Sequence, residues 1–391
     1  MEDRLSTLPD EVIHLILSFL KTKLAVQTCV LSKRWRSLWT GILTLHFKES
    51  SFSNYVSFIK FLNHVFLHKD HSKTILQFKI SSSYISDYTI SRLVLDFLVK
   101  HDRDIQDLVI SSYIYQWEFL SPSYWDLFHT WDSLKTLSLE YICIPINVEY
   151  GFVSLMSLHL YNCELVDDYD YSLDRILAGN IKITAPQLKE FKMSYLFFED
   201  PVDPHFKMIL SFPKLLSFCF EGNELLHISF LHHPVLQKLT VDYDVCLPSQ
   251  SDYKHLINIF GAIGGAKFVT LSEKTICVLS KVPDVAKGKQ PPFCEIQELK
   301  IIVTRIMSEM GNKFSFTVPS CVITYLLSKS PSSKGVTLVY QDYEKQYSNF
   351  PDALFHASPS SIISSDGHRR FRSAMHDPDD HFLASTIINR L

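Results

Sequence analysis

The chain has 391 residues, of which 46% are hydrophobic, and its 42 acidic and 38 basic side chains leave a net charge of −4 with histidine neutral. That balance argues against a nucleic-acid partner, whose binding domains are usually basic. The scarcity of glycine (11 residues) argues against phosphate-cradling loops and long flexible linkers. No stretch approaches the roughly 18 apolar residues that a membrane-spanning helix needs. The opening MEDRLSTLPDE is acidic and polar where a signal peptide has a basic start and an apolar run. Eight cysteines are scattered without a CxxC pair, so neither a zinc framework nor a redox motif is indicated. Most lie in apolar runs, and no asparagine is followed by x-Ser/Thr. We therefore expect buried, reduced thiols in a nuclear or cytoplasmic protein, with no membrane partner.

The first element is LPDEVIHLILSFL, Leu8 to Leu20. Thr7 can cap a helix and Pro9 suits its first turn, where the missing N–H has no partner to lose. Asp10 and Glu11 sit at the positive end of the helix dipole. Val12, Ile13, Ile16, Leu17 and Leu20 recur at helical spacing, and Leu15 and Phe19 form a second stripe beside them. A helix apolar on two sides needs two surfaces to cover it. A second short helix opens near Thr22. A third follows Ser32, with Trp35, Leu38 and Trp39 on one side and Lys33, Arg34 and Arg36 on the other. Three short helices in about forty residues make a small core that gains by docking.

Residues 4–47, RLSTLPDEVIHLILSFLKTKLAVQTCVLSKRWRSLWTGILTLHF, resemble a plant F-box. The LPDE opening, the apolar helix, Thr22-Lys23, the V-L-S-K-R-W-R run and the closing L-W are all present. Two departures are Lys21, where the family usually has proline, and Leu24, where it often has a polar residue. The resemblance implies docking to the Skp-family adaptor of a cullin–RING ubiquitin ligase. It carries Leu8 and Pro9 to the adaptor-contacting LP, Ile16, Leu17 and Leu20 to the helix in the adaptor's groove, and Lys33 and Trp35 to the third helix. Periodicity alone would make these residues simple core.

Residues 48–74 read as a linker or first cap. His64, His68 and His71 recur there at a spacing that could gather ligands on one helix face. The glutamate of H-E-x-x-H is absent, and we expect no metal.

From about residue 75 to 345 one pattern returns, L-x-x-L-x-L-x-x-N/C-x-L, the leucine-rich repeat signature. Clear copies start at Leu134, Leu155, Leu188, Leu215 and Leu236. Weaker ones start at Ile75, Ile105 and Ile296, and fainter ones near Ala266 and Ser333. Each unit should form one short strand with its leucines inward. No unit buries its apolar side alone, so neighbours stack. The fold class expected is α/β, a small helical F-box at 1–47 followed by a curved leucine-rich solenoid, with a divergent, partly disordered tail over 346–391. The FBD domain that often ends plant relatives is not evident.

Between the inward leucines the strands leave outward positions on the concave face. His159, Tyr161, Glu190, Lys192, Glu221, Lys238 and Asp242 lie there, mixed in charge, as suits a protein target better than a polyanion. GAIGG at 261–265 is not a dinucleotide fingerprint, G-x-S-x-G is absent, and no cysteine has an activating context. We expect no catalytic residue and no cofactor. The reading is a substrate-recognition subunit of a cullin-type ligase, joined to a cullin through the Skp-family adaptor. Its rivals are a non-degradative scaffold using the same surfaces and a small-molecule sensor.

Overall fold

The computed structural model describes residues 8–85, 87–112, 128, 131–146, 148–166, 180–198, 206–223, 227–245, 250–281, 292–305, 316–330, 333 and 335–342. Three helices open it: α1 (Asp10–Ser18), α2 (Thr22–Gln27) and α3 (Trp35–Leu38), with 3-10 turns at Thr28–Val30 and Trp39–Gly41. Thr7 lies outside the described residues. Pro9 precedes α1 without a side-chain cap, and Arg34, not Ser32, directly precedes α3. Arg34 has another task. Its guanidinium pairs with the Asp10 carboxylate and donates to the Leu8 carbonyl at 2.6 Å, tying the third helix to the start of the first. Gly41 allows a close approach here, since a Cβ there would lie 2.8 Å from His14 Nε2.

Lys21 precedes α2 with φ −60° and ψ 145°. Proline fixes φ near that value. Lys21→Pro should therefore stabilise the chain by about 0.4–1 kcal/mol through the unfolded state, raising the melting midpoint by roughly a degree or two. A lower midpoint would mean that Leu20 cannot accept the proline ring.

The body is one eleven-stranded sheet whose strands follow chain order. They are β1 (Thr44–Lys48), β2 (Gln77–Ser81), β3 (Asp107–Ser111), β4 (Thr136–Glu140), β7 (Ser157–Tyr161), β10 (Glu190–Ser194), β13 (Ser217–Gly222), β15 (Lys238–Tyr243), β16 (Phe268–Ser272), β17 (Glu298–Arg305) and β18 (Val336–Asp342). From β1 to β17 each strand pairs parallel with the next, in matching register. The sheet is open, with β1 and β18 at its edges. Strands start two residues after each repeat start from Ile75 to Ile296, including the faint copy at Ala266. The first strand, β1, is an addition. It closes the N-terminal module and founds the sheet, because Thr44 Oγ1 donates to the Ser18 carbonyl and the His46 N–H donates to Thr22 Oγ1 at 2.7 Å.

What backs the sheet changes along it. Behind the first strands lie α4 (Tyr55–His68) and α5 (Tyr88–Val99), so residues 48–74 hold a full helix. Asn54 caps α4 through the Ser57 N–H, and Asp87 caps α5. Phe66 stacks on Phe97 with centroids 4.1 Å apart, locking the two helices. The middle repeats return through short strands. One small sheet holds β5 (Cys143–Pro145), β8 (Glu164–Val166) and β11 (Phe197–Phe198). Another holds β6 (Glu149–Gly151), β9 (Asn180–Thr184), β12 (Lys207–Ser211) and β14 (Ile228–Phe230). Helices resume with α6 (Gln250–Ala262), α7 (Glu273–Ser280) and α8 (Ser320–Leu327).

Leu155, Leu158, Leu160, Leu215, Phe218 and Phe220 are all buried. The N/C position of the signature ties a turn in the repeat that has cysteine there: Cys163 Sγ reaches the Leu139 carbonyl of the preceding strand at 3.4 Å. Burial pushes that thiol up to about 12, so it stays protonated. Near the sheet's far end a helix does the same work, since the buried Thr275 hydroxyl accepts from the Tyr243 N–H at 2.9 Å and donates to the Val241 carbonyl.

The three histidines of 64–71 are not gathered. His64 stacks on Trp39 and lies tilted against His68, whereas His71 Nδ1 meets His101 Nε2 at 3.0 Å. His101 is buried against Phe97. Burial, then the charges of His71 and Lys69, push its pKa down to about 4, with Asp104 opposing and Lys100 adding slightly. An unfolded histidine takes up its proton near pH 6.5. Between that value and about 4 the unfolded chain binds the proton that the fold refuses, so stability must fall as the pH falls. His101→Phe should flatten that part of the melting-temperature profile. An unchanged profile would show that His101 titrates freely in the folded chain.

Candidate functional site

Two surfaces stand out. The first is on α1. Its inward seam is only Ile13 and Leu17, both fully buried. Val12 and Ile16, expected to share that seam, face outward beside Leu15 and Phe19, which are 59% and 81% exposed. The three short helices close over one narrow stripe, and the other apolar side chains of α1 stay at the surface. Leu24, Val30 and Leu31 are also exposed on the following turns. Of the residues assigned to adaptor docking, Pro9, Ile16 and Lys33 are exposed and Leu8 and Leu20 are half-buried. Leu17 and Trp35 are not at the surface: at 0% and 4% exposure they belong to the module's own core.

The second surface is the open face of the sheet. Alternation along each strand turns every second side chain outward, and the parallel register lines these side chains into rows. His159 and Lys192 lie in the middle row of β7 and β10. Glu190 and Lys238 lie in the first row, and Tyr161, Glu221 and Asp242 in the last. All seven residues assigned to target binding therefore share one face on four adjacent strands.

That face is knitted together. His159 Nε2 lies 3.0 Å from the Ser157 hydroxyl and 3.8 Å from Glu190. Lys192 Nζ lies 3.3 Å from the Glu221 carboxylate, which also accepts from the Ser194 hydroxyl at 2.8 Å. Burial pushes the Asp242 carboxyl up, opposed by a hydrogen bond from Ser272. Burial alone pushes Glu140 up. Further along, a cavity of about 220 Å³ opens beside Lys238, Phe268, Thr270, Glu298 and Lys300. Phe268 is 45% exposed there, an apolar residue in an outward position that the repeat pattern does not single out.

Among the described residues no group of three or more His, Cys, Asp or Glu is placed to hold a metal. No helix among them is long and apolar enough to cross a membrane.

Comparison with known proteins matches residues 5–45 to the F-box domain. An F-box/FBD/LRR-repeat protein of Arabidopsis thaliana is 26% identical over 362 residues, 88% of this chain and 76% of the relative. The Arabidopsis F-box/LRR-repeat protein 25 is 33% identical over 178 residues, 45% of this chain and 64% of the relative. An FBD-associated F-box protein of the same plant is 26% identical over 86% of this chain and 77% of its own length. The chain carries an F-box domain and is similar over most of its length to plant F-box/leucine-rich-repeat proteins. Its F-box is therefore the three-helix module, and β1 starts inside the matched range. The relatives' names mention FBD, whereas the tail over 346–391 lies outside the described residues. The family names suggest an adaptor and not a catalyst.

Proposed function

We propose that this F-box/leucine-rich-repeat protein is the substrate-recognition subunit of a cullin–RING ubiquitin ligase. The F-box docks the Skp-family adaptor through α1, and the repeats form a curved solenoid whose concave face, the open side of the sheet, captures a target protein. The observation that carries the reading is the separation of two surfaces with different chemistry. One is a helix face of exposed Leu15, Ile16 and Phe19 on the F-box, and the other is a charged, hydrogen-bonded face spanning several repeats. An apolar helix face lying in a partner's groove and a broad mixed-charge sheet are two separate recognition modes. Holding the target near the charged enzyme raises effective concentration, so the subunit needs no catalytic group of its own. The nucleus or cytoplasm is the compartment proposed.

The test is co-purification of the tagged chain with adaptor and cullin, with and without proteasome inhibition, beside a variant carrying Glu190→Lys, Glu221→Lys and Tyr161→Ala. The variant should keep the adaptor and cullin yet lose the proteins that accumulate under inhibition. Unchanged capture moves recognition off the sheet. Adaptor without cullin would favour the scaffold reading. Of the lysines Lys79, Lys192, Lys238 and Lys300, Lys238 and Lys300 share the cavity beside Phe268, where Glu298 lies 3.4 Å from the Lys300 ammonium and opposes a polyanionic small molecule.

A further inference from the structure

The last outward row of the sheet ends in an arrangement of rings with no counterpart in the repeat pattern. Tyr141 follows β4, Asn162 follows β7 and Tyr195 follows β10, each in the left-handed region with φ of 56°, 47° and 53°. A bulky residue is an outlier there and persists only where its surroundings hold it. Here three hydrogen bonds hold the turns: the Tyr141 N–H donates to the Tyr161 carbonyl, the Asn162 N–H to the Ser194 carbonyl, and the Tyr195 N–H to the Glu221 carbonyl. The left-handed turns bring the Tyr141 and Tyr195 rings to either side of Tyr161. Tyr141 and Tyr161 have centroids 6.0 Å apart at 81°, and Tyr161 and Tyr195 have centroids 6.3 Å apart at 85°. Three half-buried rings, each perpendicular to the next, form a corner.

Carboxylates border it. Glu140 is the register neighbour of Tyr161, Ser194 that of Glu221, and Glu221 that of Asp242. Glu221 is shared with Lys192, and Ser272 hydrogen bonds Asp242. Among the described residues Glu140 has no ion-pair partner; its side chain is half-buried, and burial alone pushes its carboxyl up. Ring faces attract cations, and a carboxylate beside them adds charge.

We propose that the corner of Tyr141, Tyr161 and Tyr195 receives a lysine or arginine side chain from a basic segment of the captured protein, with Glu140 as its counter-charge. The proposal rests on target capture by the open sheet face and names the chemistry of the partner there. An acidic segment would meet Glu140, Glu221 and Asp242 with like charge and is disfavoured.

The test titrates the full-length chain with fluorescein-labelled octalysine and octaglutamate peptides in 150 mM salt, following anisotropy. Octalysine should bind and octaglutamate should not. Glu140→Gln and Tyr161→Ala should each weaken octalysine at least fivefold at an unchanged melting midpoint, whereas Tyr161→Phe keeps the ring and the affinity. Glu149→Gln removes an exposed carboxylate from a different sheet and should change nothing. The proposal is overturned if octalysine fails to bind, if octaglutamate binds as well, or if Glu149→Gln weakens binding as much as Glu140→Gln. Target capture separates this failure from that of the underlying reading. If Glu190→Lys with Glu221→Lys loses targets that Glu140→Gln retains, the corner is wrong and the sheet face stands. If both variants retain every target, the sheet face itself is wrong.

Discussion

Leu158→Asp is expected to unfold the repeats. Leu158 is 2% exposed and lines a small gap together with Ile144, Tyr150 and Ile183 of the return strands and with Phe152 just after β6. Its register neighbours Leu137 and Phe191 are fully buried. A carboxylate there would have neither water nor a cation, and uncompensated charge burial costs several kcal/mol. Whole domains are stable by only about 5–15 kcal/mol, so one such change removes much of the margin. Each repeat is held by its neighbours, so the loss should spread to the adjoining strands. Urea melts followed by circular dichroism provide the check. Ser138→Asp, outward on the neighbouring strand, should shift stability by no more than about 0.5 kcal/mol. A Leu158→Asp protein that melts like the parent would overturn the packing described for β7.

Leu15→Asp combined with Phe19→Asp is expected to abolish adaptor capture while the chain stays folded. Both side chains already face solvent, so charging them removes no core contact. Buried apolar anchors in interfaces contribute roughly 2 kcal/mol or more apiece, and losing two corresponds to about a thousandfold in affinity. Leu17→Ala makes the contrast. Leu17 is fully buried, so its truncation should cost roughly 2–5 kcal/mol of stability and weaken adaptor binding only by loosening the F-box. Pull-down with the purified adaptor, paired with thermal melts, separates the two cases. If the Leu15/Phe19 variant binds normally and Leu8→Ala with Pro9→Ala does not, the adaptor grips the start of α1 instead of its outer face.

Much of this molecule was legible in the order of its residues. The leucines at Leu134, Leu137 and Leu139, and their equivalents in later repeats, mark each strand because inward positions alternate with a period of two. The same alternation identifies the outward rows, so the seven residues assigned to target binding could be placed on one face before any contact was known. The three N-terminal helices follow from a period of 3.6 and from Pro9, and the F-box from its ordered motif.

Other features needed the folded chain, for a common reason. Periodicity tells which residues of an element are apolar, but not which neighbouring surface reaches them. Val12, Ile13, Ile16 and Leu17 look alike in sequence, and the shortness of the opposing helix decides that only Ile13 and Leu17 are covered. β1 is a single strand with no leucine pattern before it, and only its pairing with β2 shows that the sheet starts inside the F-box. The pairing of His71 with His101 joins residues thirty positions apart, which spacing within one helix cannot reveal. The tyrosine corner lies at left-handed turns where the strand period stops. Sequence by itself determined the N-terminal helices and the repeat strands with their inward and outward rows, because hydrophobic spacing and backbone geometry are local. Tertiary structure decided which faces are closed and which are open, because that depends on what the next element covers.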